Sequence, residues 1–155
     1  MTYNPPMITY RRITTAEREY EAEKALRDRA LRAPLGLTLS ETDVRGEEHQ
    51  MHIVALDDRG AVVGCVLIAP QPDGIARIRQ MAVAETFRGK GIGAALMAQA
   101  EAAARSLPAH KITMHARLYA RGFYERMGYR TVAEPFTEMT IPHIKMEKIL
   151  DWVKP

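Results

Sequence analysis

Cysteine is almost absent from this chain. Cys65 stands alone, so no intrachain disulfide can form and a reducing compartment suits the protein. Long apolar runs are missing too: none approaches the ~20 residues of a membrane helix. The first residues carry no signal-peptide segment, so the expected location is the cytoplasm, with no membrane partner. No basic stripe with interleaved aromatics is present. The arginines are dispersed, and the net charge of +3 reads as a solvated surface rather than a nucleic-acid face. Metal ligands in a recognisable set are lacking. His49 and His52 sit three apart at a loop-to-strand junction with no third soft ligand nearby, so surface or pocket-lining histidines and no metal are expected. Internal repeats, linkers and low-complexity tracts are likewise absent.

What is present is ordinary globular composition, 46% hydrophobic and 26% charged over 155 residues, which implies one domain, residues 1–155, around one core. A strand is expected over Met7–Ile13. Thr14-x-x-Glu17 reads as a capping box opening a helix to about Arg32, ended by Pro34. Leu35–Gln50 has no clear period, and a connection of that length is functional or mobile. Met51–Asp57 and Ala61–Ala69 read as a hairpin whose second strand is apolar enough to be covered on both faces. A strand from Ile75 to Ala84 precedes a helix from Ile92 to about Arg105. Then come a strand at Lys111–His115, a helix at Leu118–Met127 closed by Gly128, and strands at Tyr129–Ala133 and His143–Ile149 around a loop containing Pro135 and Pro142.

The run Arg88-Gly89-Lys90-Gly91-Ile92-Gly93-Ala94 joins the strand to the helix. Glycines let backbone N–H groups crowd one oxyanion and the helix start adds partial positive charge, so the segment reads as a diphosphate cradle. It is not a Walker loop, because Lys90 is followed by Gly91 and Ile92 and no hydroxyl is available for magnesium. The spacing Gly89-x-Gly91-x-x-Ala94 fits a dinucleotide fingerprint, but the unit lies mid-chain in the wrong surroundings.

With its flanks Gln80–Phe87 and Ala95–Leu96, this run resembles the central motif of the GNAT N-acetyltransferase superfamily, with Arg88, Gly91 and Gly93 at its three defining positions. Ala120-Arg121-Gly122-Phe123-Tyr124-Glu125-Arg126-Met127-Gly128-Tyr129 is similar to that superfamily's later signature. Leu31–Leu37, Met114–Arg117 and Phe136–His143 resemble the ElaA/YjcF-like branch, with Thr140 where the branch more often has glycine. The resemblance implies an α/β GNAT fold: a mixed, mostly antiparallel sheet splayed between its fourth and fifth strands and flanked by helices.

It also implies acetyl-CoA as cosubstrate. Amides from Arg88 through Ala94 (Gly89, Lys90, Gly91, Ile92, Gly93) would hold the diphosphate, and backbone groups of Met81, Ala82 and Val83 would pair with the pantetheine arm. A strand N–H there can also polarise the thioester carbonyl. Tyr124 matches the tyrosine that many members use to protonate the departing thiolate. The alternative is a core tyrosine with a satisfied hydroxyl, and Tyr119 is a second donor candidate. The glutamate that many members carry before the glycine-rich turn is missing; Arg77 and Arg79 stand in that strand. Another group must then take the proton, or water must relay it; His115 is the candidate base, with a bond to a backbone carbonyl as the structural alternative. Glu138 and His143 are candidate substrate-binding residues, although Glu138 could instead pair with Arg79. Cys65, in an apolar strand, reads as a small buried hydrophobe, which favours direct transfer over an acetyl-cysteine.

The expected function is transfer of acetyl from acetyl-CoA to a primary amine of a small molecule in a ternary complex. A protein or peptide amine as acceptor and a non-catalytic acyl-CoA-binding module are the alternatives, and the resemblance allows a homodimer.

Overall fold

The computed structural model describes residues 7–150. They form two compact units. The first holds the described chain up to Leu67 together with Gln80–Gln99, and the second holds Ile68–Arg79 and the described chain from Ala100. In hydrogen-bonding order the strands run β1 (Thr9–Ile13), β2 (Met51–Leu56), β3 (Val62–Gln71), β4 (Ile75–Val83), β5 (Lys111–Arg117), β8 (Ile141–Ile149) and β6 (Arg130–Thr131), with β7 (Phe136–Glu138) also on β8. Among the registers described, only β4 with β5 is parallel, so the sheet is the mixed, mostly antiparallel α/β arrangement expected.

In the first unit β1 lies antiparallel to β2, from Thr9↔Leu56 to Ile13↔His52. Helix α1 (Glu19–Arg27) is preceded by half of the anticipated capping box: Glu17 Oε2 accepts the Thr14 N–H at 2.6 Å. Thr14 Oγ1 takes the Ala16 N–H instead of completing the box. Leu26 packs with Ile13, Val54, Val62, Cys65 and Ala82. Beyond Arg27 the helix continues as a π turn, Asp28–Arg32, and a 3-10 turn, Ala33–Leu35, before Gly36 ends it at φ 72°. Pro34 has no N–H to return to the preceding turn, so the last turns take other spacings than the single α-helix expected.

The long segment 36–50 is pinned rather than loose. Leu39 N–H donates to Asp28 Oδ1 at 2.7 Å, Arg32 Nε lies 3.7 Å from Asp43 Oδ2, and Gly46, at φ 80°, turns the chain into Glu47–His49, which buries Glu47. Residues Val62–Ala69 of β3 are all buried, as anticipated. Gly64 in that strand leaves room for helix α2 (Ile92–Ser106): a Cβ there would stand 3.0 Å from Leu96 and 3.1 Å from Ile92. The missing side chain thus lets the first turns of α2 settle close on β3.

In the second unit β4 pairs with β5 from Ile75↔Lys111 to Ile78↔Met114. β5 runs its whole length against β8, from Lys111↔Ile149 to Arg117↔His143. Alternating burial of Ile112, Met114 and Ala116 on β5, with Ile144 and Met146 on β8, gives this unit its core. Helix α3 is shorter than expected, Arg121–Glu125 after a 3-10 turn at Leu118–Ala120. Its end is as anticipated. Gly128 at φ 92° donates to Glu125 O and Tyr129 N–H reaches Tyr124 O, the paired bonds of a Schellman close. β6 spans only Arg130–Thr131, and the expected loop holds β7, turned back onto β8 through Met139 (φ 48°) and Thr140 (φ 67°).

Candidate functional site

The strand-to-helix turn lies in the first unit. After β4, Ala84 N–H donates to Val63 O at 2.8 Å, Glu85–Phe87 make a 3-10 turn, and Gly89 and Gly91 take φ of 76° and 81°. A Cβ at either glycine would meet nothing within 4 Å. Backbone conformation, with the space before it left open, is what calls for glycine here. Helix α2 begins at Ile92, so the N–H groups of Ile92, Gly93 and Ala94 point out of its first turn without intrahelical acceptors, at the positive end of the dipole. No acidic residue occupies that turn. Arg88 and Lys90 are exposed; Arg88 Nε donates to Val83 O at 3.1 Å and Lys90 Nζ stands 5.3 Å from the Phe87 ring centre. The Val83 carbonyl is therefore held by Arg88, a contact the sequence did not indicate.

Behind β4 in the same unit lies a buried ionic cluster. Arg27 donates through Nη1 to Glu47 Oε1 (2.8 Å) and Glu23 Oε2 (3.3 Å), through Nη2 to Glu47 Oε2 (2.6 Å), and through Nε to Gln80 Oε1 (3.2 Å). His52 Nε2 donates to Glu47 O at 2.8 Å, which leaves Nδ1 facing both Glu23 oxygens at 3.0 and 3.1 Å. Tyr20 completes the cluster with a 2.9 Å bond to Glu47 Oε1. Burial alone would lower the His52 pKa; the Glu23 carboxylate outweighs it and the net direction is up. The expectation of a surface or pocket-lining His52 is corrected, because the residue is fully buried. Ligand atoms of Glu23, Glu47 and His52 lie within 4.8 Å of one another, but the Arg27 guanidinium takes the place a cation would fill between the carboxylates. His49 is exposed beside Glu48. Cys65 is buried as anticipated, with burial pushing its thiol pKa up and Sγ 3.4 Å from Gln80 O.

The second unit brings together three of the residues singled out from sequence. His115 Nδ1 is 3.3 Å from Glu138 Oε1 and 3.2 Å from Arg77 Nη2, so one tautomer donates to the carboxylate and the other accepts from the arginine. His143 is buried; its Nδ1–H donates to Ile141 O at 3.0 Å and Nε2 stands 3.7 Å from Glu138 Oε2. Phe136 packs against both rings, at 5.0 Å from His115 and 6.0 Å from His143. Phe136 and Glu138 share one face of β7 because they are two apart on a strand.

Tyr124 lies outside this trio, in α3. Its ring is buried against Phe123 and Tyr129, with centroids 5.0 and 5.9 Å away. Its hydroxyl makes no hydrogen bond among the described residues. Burial pushes its pKa up to about 12, which keeps the proton on at neutral pH. Tyr119 is exposed.

Sequence reading missed Arg77 as a partner of His115, Phe136 as the wall between two imidazoles, and the Glu23–Arg27–Glu47–His52 cluster. The spacing of Glu23 and Arg27, one helical turn apart, was the available signal.

A family model described as "Acetyltransferase (GNAT) domain" matches residues 22–150. An uncharacterized N-acetyltransferase of Chlorobaculum tepidum, CT2212, is 35% identical over 89 residues, 57% of this chain and 56% of that protein. The uncharacterized N-acetyltransferase YjcF of Bacillus subtilis is 32% identical over 77 residues, 49% of this chain and 55% of that protein. The chain spans little more than half the length of these curated relatives. Among solved structures, a putative N-acetyltransferase from Lactobacillus plantarum superposes with a TM-score of 0.81 at 26% identity, covering 95% of this chain and 99% of that one. A GNAT family acetyltransferase from Elizabethkingia anophelis, solved with acetyl-CoA bound, gives 0.70 at 21% identity over 92% and 98%.

Proposed function

Because the chain belongs to the GNAT acetyltransferase domain family, we propose that it is an N-acetyltransferase moving the acetyl group of acetyl-CoA onto a primary amine of a small molecule. The observation that carries this reading is the turn at Gly89 and Gly91, which opens without obstruction onto the free amides that begin α2. A diphosphate suits those amides, being an anion that backbone N–H groups and the helix end both favour. The extended segment Met81–Val83 would take the pantetheine arm. Its N–H groups are the candidates for polarising the thioester carbonyl.

The reaction is direct. The neutral amine nitrogen attacks the thioester carbon, the tetrahedral oxyanion collapses, the C–S bond breaks and the CoA thiolate leaves. Tyr124 is assigned the proton that the thiolate takes; a phenol that keeps its proton at neutral pH and whose hydroxyl is not engaged by the described residues supports the role. The proton lost by the amine goes to His115, with Glu138 as the acceptor that would steady the imidazolium. Glu138 and His143 are assigned to the acceptor amine, an anionic group beside a buried imidazole suiting an ammonium in its resting form.

A panel of small amines and short peptides, each mixed with acetyl-CoA and followed by free thiol, tests the proposal. Thiol release that depends on a small amine is the expected result. Release with peptides alone would move the acceptor class to proteins, and tight acetyl-CoA binding with no release under any amine would leave an acyl-CoA-binding module.

A further inference from the structure

The Glu23–Arg27–Glu47–His52 cluster has no part in the transfer chemistry, yet it is the most elaborate polar construction in the first unit. A buried ion network gives little stability for its cost, since apolar replacements of similar volume are often neutral or better. Two carboxylates face one guanidinium and one imidazole whose two nitrogens both meet oxygen, and Tyr20 occupies Glu47 as well. Four of the guanidinium's contacts go to the two carboxylates and to Gln80; only the Nε contact leaves the cluster.

That outgoing bond reaches a singular residue. Gln80 is the one position of β4 with positive φ, 56°, a conformation that non-glycine residues hold only where their surroundings enforce it. Two contacts hold this residue: Arg27 Nε donates to its side-chain oxygen at 3.2 Å and Cys65 Sγ to its main-chain oxygen at 3.4 Å. A single left-handed residue in a strand re-aims the peptide groups that follow it. The residues that follow are Met81, Ala82 and Val83.

We propose that Arg27 is a positioning residue: clamped by Glu23 and Glu47, it fixes Gln80 in its left-handed conformation and so sets the direction in which the peptides from Met81 to Val83 face the acyl-pantetheine arm, the Val83 carbonyl itself being taken by Arg88. This rests on the assignment of that arm to Met81–Val83. The guanidinium is required for its shape. A lysine in its place carries the charge but has one nitrogen, and cannot hold a carboxylate through two nitrogens and a glutamine through a third.

The test is calorimetric titration of two ligands, acetyl-CoA and the phosphoadenosine diphosphate half of CoA without its arm, into wild type, Gln80→Gly, Gln80→Asn and Arg27→Lys. Glycine and asparagine both accept positive φ, so the Gln80 variants remove the anchor without penalising the backbone, and melting temperatures verify the fold. The expected result is acetyl-CoA binding weakened at least about tenfold in both Gln80 variants, with affinity for the armless half held within about twofold. Arg27→Lys, where it folds, should behave alike. Acetyl-CoA affinity unchanged in both Gln80 variants, in a wild type that prefers acetyl-CoA to the armless half, would overturn the positioning role and leave the arm assignment standing. Equal losses for both ligands would reduce the cluster to a structural one and also overturn it. A wild type that binds acetyl-CoA no tighter than the armless half would overturn the arm assignment, and the positioning role with it.

Discussion

Two residues show how burial and bonding decide chemistry. Tyr124 is enclosed as a core aromatic but leaves its hydroxyl without a partner among the described residues, so the hydroxyl can be removed without breaking an internal bond. Tyr124→Phe is expected to lower turnover roughly a hundredfold or more, the usual scale for a general acid, with little change in melting temperature; steady-state kinetics beside a thermal melt check it. Near-wild-type turnover, with chemistry rate-limiting, would leave Tyr124 as packing. His52 illustrates the opposite case, a titratable group whose every nitrogen is engaged. Its folded-state pKa is raised by Glu23 above the ordinary value of 6.5. The imidazolium therefore contributes stability that is fully present below that value and is lost as pH rises through the raised one. Melts across this range should show stability falling on the alkaline side, and His52→Gln should flatten that fall. The burial of His52 was not legible from sequence, because Glu47, its carbonyl partner, reaches the interior only through the turn at Gly46.

At the scale of elements, legibility followed periodicity. β3 and α2 were readable because an unbroken apolar run and a glycine-led helix start are strong local signals. β7 was not, since its turn onto β8 uses Met139 and Thr140 at positive φ, where asparagine and glycine usually announce a hairpin. The same fact explains why glycine is the commoner residue at Thr140 in the branch this chain resembles. A β-branched residue in that region is strained, by ~1–3 kcal/mol, and glycine would relieve the strain at an entropic cost of roughly 0.5–1 kcal/mol. Thr140→Gly is expected to raise stability by up to about 2 kcal/mol, read by denaturant unfolding; a lowered midpoint would show that the threonine side chain holds the turn. The helix expected to Arg32 reaches it, with turns of another kind at its end for a related reason. Propensity continues through Arg32, but Pro34 removes a donor and the tail rewinds into π and 3-10 turns.

For the whole molecule, two motifs in one order located the family, and the family model spans nearly all the described residues. The superposition on solved structures shares that extent. What pattern could not supply was the company each site residue keeps: His115 with Glu138, Arg77 and Phe136, or Arg27 with Gln80. Those contacts join positions tens of residues apart and depend on register, which the sequence leaves to packing. The central claim is that the turn from Arg88 to Ala94 binds acetyl-CoA through its backbone. Calorimetric titration of acetyl-CoA into Gly91→Val, shown folded by its melt, tests it most directly. Valine would strain a backbone at φ 81° and fill the space now open before it. The account predicts affinity weakened by at least ~1–3 kcal/mol, and a folded Gly91→Val protein that binds acetyl-CoA as tightly as wild type would contradict it.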